Sequence, residues 1–392
     1  LDILIKNFFT FKNLSGEYPL LENDIRLGTP TAVFGVSDYH KYLIAAIAGK
    51  TVLYVAPDSI TARKAYEAVT VLSGERCTYL SAKDDVVLYK DALSKDALFR
   101  RISAVYDILH GAEIIVCEVD AILQLFPANI PFVQFICGDE IDYADLPKKL
   151  VKMGYTREYS ADNRGCFAVR GDILDIFPVK AENPVRIDFF GDTIEKIRPY
   201  DSVTGERLEE VKEITVTSAA DAFIKKEEIS KITGLMYSEA KKAKDTKAFE
   251  RMRAIADDIA SKAEENVGFA GASFLMPLLE DTTDIFGLLP KDTVIILDEC
   301  KLIDDSLRGI YKEHSERVLS LREGGEAFSF SQNQLITPDM LLEGFKNYRC
   351  LGVQTFTSGM AFFLPLQTYN LRLMPVPSYL NGMLQFITDV KN

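Results

Sequence analysis

Three observations predict an α/β protein in which a discontinuous parallel-sheet domain carries an inserted small β-rich α+β domain. Short apolar runs alternate with helical patterns from residue 31 to 128. Short strands and turn signals replace them from 129 to 218, and long amphipathic helices followed by buried strand patterns resume from 219 to 357. Alternation of the first kind gives parallel strands covered by helices. The chain has 392 residues, more than one core accommodates, since cores stop growing near ~250–300 residues.

The elements follow in order. "TAVFGVS" reads as a strand and "DYHKYLIAAIAG" as a helix; "TVLYVAP" is a strand, and "DSITARKAYEAVTVLSG" a helix opened by Asp58 and Ser59. "CTYLSA" is the next strand, and "LSKDALFRRISAVYDILHG" a helix closed by Gly111. "AEIIVCEV" is a strand leading into "DAILQLF". Past Pro127 a short helix, "ADLPKKLVKMGY", precedes the strands "CFAVRG", "DILDIFP", "PVRIDFFG", "DTIEKIRPYD" and "EVKEITVTSA". Helices return in "FIKKEEISKITGLMYSEAKKA" and "TKAFERMRAIADDIASKAEEN", with apolar spacings of three and four. "DTVIILDE" and "RCLGVQTF" restore the strand pattern of the first part. The expected division is therefore 1–128, first part of the α/β domain; 129–218, the insert; 219–357, second part; and 358–392, the beginning of a further, incomplete domain whose tail "LMPVPSYLNGMLQFITDVKN" opens a helix after two prolines.

Hydrophobic residues make up 47% and charged residues 26%, a globular composition, and the formal net charge is −13. So acidic a chain does not grip a phosphate backbone over a broad face, which takes clustered Lys and Arg. The six cysteines have no C-x-x-C spacing and read as reduced core residues of a cytoplasmic protein; with His40, His110 and His314 far apart, no metal and no cofactor is expected. No apolar run is long enough to span a membrane, and "LDILIKNFF" lacks the basic start of a signal peptide.

Several motifs resemble chemistry without its full requirements. "AGKT", Ala48 to Thr51, has the end of a phosphate-binding loop, but Ile44 stands where the first glycine belongs, and a strand follows where a helix should. Lys50 is expected in an exposed turn. "CGDEIDY" resembles a magnesium-holding acidic box; without a phosphate loop, Asp139, Glu140 and Asp142 are expected to favour the start of the next helix instead. There is no G-x-S-x-G elbow and no cysteine with a histidine nearby in sequence, so no catalytic residue is assigned.

The informative stretch is "FAVRGDILDIFPVKAENPVRIDFFGDTIEKIRPYD". A period of two places Val185, Ile187 and Phe189 on a core face and Arg186, Asp188 and Phe190 on the opposite one. Gly191-Asp192 is the hairpin turn, and Arg170 joins the outer face if the strands pair side by side. The competing reading makes Arg186 and Asp188 a surface ion pair and tucks Phe190 under a loop. The functional reading makes two guanidinium groups and a phenyl ring an interface hot spot, with the Arg-Gly-Asp triplet serving as part of a turn.

That stretch resembles the module shared by the excision-repair protein UvrB and the bacterial transcription-repair coupling factors, the Mfd family. "YVAPD", "LSKDALFRRISAVYDILHG", "LPKKLVKMGYTRE" and "PVPSYLNGM" also follow the coupling factors' N-terminal pattern. The resemblance implies a degenerate helicase-like domain without nucleotide chemistry and an insert that docks UvrA through Arg170, Arg186 and Phe190, with Asp188 as helper. It further implies that RNA polymerase, duplex DNA and the ATP-driven motor are matters for regions further along, so that this chain is a non-enzymatic fragment. The alternative is a UvrB-like helicase fragment that retains ATP or DNA binding. On the docking reading, Arg186→Ala or Phe190→Ala weakens UvrA binding at least roughly tenfold with thermal stability nearly intact.

Overall fold

The computed structural model describes residues 17–73, 76–83, 85–89, 95–265, 268–269, 271–356 and 365–371. A seven-stranded, wholly parallel sheet forms its largest layer, in the order β16-β1-β15-β14-β2-β4-β3. Its strands are β1 (Thr31–Phe34), β2 (Val52–Ala56), β3 (Cys77–Leu80), β4 (Ile114–Glu118), β14 (Val294–Asp298), β15 (Arg349–Gln354) and β16 (Gln367–Asn370). The central strands β2, β4 and β14 are buried throughout, which is why they read as unbroken apolar runs rather than alternating ones.

Helices cover both faces. On one side α1 (Tyr18–Leu27), α2 (Asp38–Ile47) and α3 (Ser59–Ser73) bury Leu21, Ile25, Ile44, Ala45, Ala62 and Val69 against the sheet. Asp58 starts α3 by accepting from the Thr61 amide at 2.8 Å, as its cap position predicts. On the other side α4 (Lys95–Leu109), α5 (Val119–Leu123), α10 (Cys300–Glu323) and α11 (Pro338–Phe345) contribute Ile102, Val105, Ile303, Leu307 and Leu341. A further pair, α7 (Lys226–Ala240) and α8 (Thr246–Glu265), packs Met236 and Ile259 with Leu275 and Phe328 into a separate cluster.

Between β4 and β14 the chain builds a five-stranded sheet ordered β11-β10-β9-β8-β7. Its members are β7 (Thr156–Arg157), β8 (Cys166–Arg170), β9 (Ile173–Ile176), β10 (Val185–Phe190) and β11 (Thr193–Pro199), antiparallel except for β7 on β8. One face, carrying Phe167, Leu174, Ile176, Val185, Ile187, Phe189 and Ile197, joins the same core as the α4 side of the large sheet. The strand in "EVKEITVTSA" does not extend this sheet. As β12 (Glu213–Thr217) it pairs antiparallel with β6 (Phe132–Ile136), the strand that leads into Cys137.

Two further expectations change. Gln367–Asn370, inside the segment expected to open another domain, pairs in parallel with β1 at the edge of the large sheet; the tail from residue 373 lies outside the described residues. Asp139 and Glu140 do not cap the following helix α6 (Leu146–Lys152). Their backbones run beside the start of β11, with Ile194 donating to the Asp139 carbonyl at 2.9 Å. Only the Asp142 carboxylate acts near the helix start, accepting from the Asp145 amide at 3.0 Å. Lys50 is exposed as expected, and all six cysteines are free thiols, Cys137 half-buried and the others buried. Among the described residues no helix is long and apolar enough to cross a membrane, and no group of three or more His, Cys, Asp or Glu is placed to hold a metal ion.

Candidate functional site

The solvent-facing side of the inserted sheet is fixed by its register. Ala168, Asp175, Arg186 and Arg198 form one cross-strand row; Arg170, Ile173, Asp188 and Lys196 form another. Residues directly opposite one another share a face, so Arg170, Arg186 and Asp188 do lie on one surface. Phe190 joins them. Alternation along β10 leaves Phe189 in the core at 5% exposure and turns Phe190 outward at 74%, while the register shift at this point is taken up by β11, where Glu195 is the extra residue.

Both hairpin tips at this end of the sheet are Gly-Asp pairs. Gly171 follows Arg170 with φ +59°, and Gly191 follows Phe190 with φ +61°, so each tight turn takes the left-handed residue first. An added Cβ would meet no atom within 4 Å at either glycine; the backbone conformation, not crowding, demands glycine. Tyr143 ties the tips together, donating from its hydroxyl to the Gly171 carbonyl (2.8 Å) and from its amide to Asp192 Oδ1 (3.0 Å), while its ring lies 4.6 Å from that of Phe189. Arg170 and Phe190 thus end two strands separated by one, about 10 Å apart at the usual strand spacing.

The charges are paired differently from either sequence reading. Arg186 does not pair with Asp188. It grips Asp175 with both arms, Nε to Oδ1 at 2.7 Å and Nη2 to Oδ2 at 2.8 Å, and its guanidinium lies 5.8 Å from the Tyr200 ring centre. The hydrogen bonds to Asp175 hold the Arg186 pKa above its ordinary value against the opposing effect of burial. Asp175 is 3% exposed while the Arg186 side chain keeps 37% of its surface, so the arginine neutralises a buried carboxylate from the solvent side. Asp188 pairs with Arg198, leaving Asp188 Oδ1 and Arg198 Nε without a hydrogen-bond partner among the described residues. Arg170 is exposed and donates to the Tyr159 carbonyl, beside a Tyr159 side chain that is 96% exposed.

Lys196, opposite Asp188, is an outer-face cation the sequence reading passed over; it is exposed and forms no ion pair among the described residues. Strict alternation along β11 does not assign it, because the register shift lets Ile194 and Ile197, three positions apart, both face the core. Also missed was a cluster at the carboxyl ends of the large sheet's strands. Lys41, in the first turn of α2, donates to Asp298 Oδ1 at 2.7 Å and to Glu299 Oε1 at 2.8 Å, and Tyr54 donates to Asp298 Oδ2 at 2.6 Å. Burial opposes the Lys41 charge, but the two carboxylates outweigh it and raise the lysine pKa. Burial likewise pushes Asp298 up, whereas for Glu299 the Lys41 and Thr355 hydrogen bonds prevail and its pKa falls. The sequence signal was the acidic end of "DTVIILDE", taken only as the end of a strand.

The outer-face residues all fall within residues 133–221, which match the UvrB interaction domain family. The chain is 26% identical to the transcription-repair-coupling factor of Bacillus subtilis (strain 168) over 82% of its own length and 28% of that protein's. It is 30% identical to the transcription-repair-coupling factor of Staphylococcus aureus (strain USA300) over 49% of its own length and 17% of that protein's. The chain therefore matches well under two thirds of the length of these relatives. The outer face of the inserted sheet is thus part of a match to the UvrB interaction domain, on a chain similar to transcription-repair-coupling factors along most of its length.

Proposed function

We propose that this chain is a non-catalytic adaptor of transcription-coupled nucleotide-excision repair, and that residues 129–218 recruit UvrA through Arg170, Arg186 and Phe190, with Asp188 as helper. The observation that carries the reading is the outward phenyl ring of Phe190, exposed at a hairpin tip on the face that also carries the exposed Arg170 and Lys196, within the stretch that matches a UvrB interaction domain. An aromatic ring with arginines is the usual make-up of an interface hot spot. Burying Phe190 contributes ~1.5–3 kcal/mol. Arg170 adds a charge-assisted hydrogen bond to a partner carboxylate, while Arg186, already oriented by Asp175, loses little freedom on contact. Asp188 helps from within the face, where its ion pair with Arg198 fixes the charges beside Arg170 and Lys196. Contacts with RNA polymerase and duplex DNA are not assigned to these residues.

The test is a titration of UvrA with the wild-type chain and with Phe190→Ala and Arg170→Ala. Phe190→Ala is expected to weaken binding at least about tenfold, equivalent to ~1.4 kcal/mol, without lowering the melting temperature. Wild-type affinity in both variants would refute the docking surface.

A further inference from the structure

The Lys41 cluster has the layout of a phosphate-and-metal site. Strand β1 runs through Gly35, at φ +72°, into the start of α2, and Gly35, His40, Lys41 and Tyr42 follow the spacing G-x-x-x-x-G-K-[ST], with His and Tyr replacing the second glycine and the hydroxyl residue. In such a site the lysine reaches a phosphate, and an Asp at the end of a neighbouring strand serves a divalent cation. Here Asp298 ends β14 and Glu299 follows it, on a strand separated from β1 by β15 alone, at the carboxyl edge where open parallel sheets take ligands. The lysine is turned onto the carboxylates instead. Lys41 is 2% and Asp298 1% exposed, and Glu299 is the one non-glycine among the described residues with positive φ, at 59°. Such a backbone is tolerated where the surroundings over-determine it, and Lys41 together with the Thr355 amide, 2.8 Å from Glu299 Oε1, does so.

We infer that Lys41 is a built-in cation occupying the place of a divalent ion between Asp298 and Glu299, and that its ammonium closes the carboxyl edge of the large sheet to metal and nucleotide. The carboxylates keep the character of a hard-cation site: two oxygens converge on one position, and Tyr54 holds Asp298 from the far side. Truncating the lysine vacates that position and leaves two oxygen ligands, which suit magnesium or manganese completed by water.

Thermal melts of the 392-residue chain with and without millimolar manganese chloride or magnesium-ATP test this. The wild type should show no shift with either. Lys41→Ala should melt about 5 °C or more lower, as expected on breaking a buried ion pair. Manganese should restore a substantial part of that loss, since only the folded state offers the site, and Lys41→Ala/Asp298→Asn should show no restoration. Stabilisation of the wild type by manganese or magnesium-ATP overturns the inference, as does a folded Lys41→Ala that ignores the metal. If Lys41→Ala does not fold, the space-filling Lys41→Met decides. Lys41→Met/Asp298→Asn should then melt higher than Lys41→Met alone, because the uncompensated buried carboxylate is gone; a lower melting point overturns the inference.

Discussion

The two sheets carry ionic clusters built to opposite ends. In the large sheet Lys41 and Asp298 are almost wholly buried and satisfy one another. In the inserted sheet the buried carboxylate Asp175 is neutralised by Arg186 from the rim, and Arg170, Lys196 and Phe190 remain turned to solvent. Chain chemistry alone does not separate them, since both combine basic, acidic and aromatic side chains. The difference is whether the positive charge is spent internally. Where it is, the cluster resists opening; where it is left over beside an exposed ring, the surface can hold a partner.

Breaking the closed cluster should have the largest effect. Lys41→Met is expected to cost ~3–5 kcal/mol of stability in denaturant unfolding, because Asp298 loses its counter-charge, and to leave UvrA affinity unchanged; a loss below ~1 kcal/mol, the worth of a surface pair, would put the cluster in the same class as a rim contact. The pH dependence sharpens this. The Lys41 pKa is raised above its ordinary 10.5, so its contribution is fully present below that pH and lost as pH rises through the higher folded value. The stability gap between wild type and Lys41→Met should therefore narrow on the alkaline side of 10.5.

Arg186 tests the boundary between the two kinds. The expectation that Arg186→Ala spares stability does not survive its pairing with buried Asp175. That variant should lose UvrA binding and also about 1–3 kcal/mol of stability, the cost of an unmatched buried polar group. Adding Asp175→Asn should return stability but not binding, and recovery of both would make the arginine purely structural. Lys196→Ala is expected to have the smallest effect, a few-fold slower association that fades at high salt; a salt-independent loss would mean instead that Lys196 is buried on binding.

The parallel sheet was legible because its strands are buried on both faces and separated by helices with 3.6-residue periodicity. The face of β10 was legible for the complementary reason: Val185, Ile187 and Phe189 alternate with polar residues beside a Gly-Asp turn. Pair identities were not, because Arg186 meets Asp175 and Asp188 meets Arg198 across strand registers that sequence spacing does not specify. The Lys41 cluster was hidden for a related reason. Its members lie 257 positions apart, and the degenerate spacing around Lys41 lacks the glycine that draws the eye.

The order of strands in the large sheet has a consequence for how the polypeptide acquires its shape on the ribosome. β14 and β15 sit between β1 and β2, yet they emerge only after the whole insert has been made. The five strands from Thr156 to Pro199 are close neighbours in sequence, and local pairings form sooner than distant ones. The inserted sheet can therefore assemble before β14 and β15 arrive to join β1 to β2.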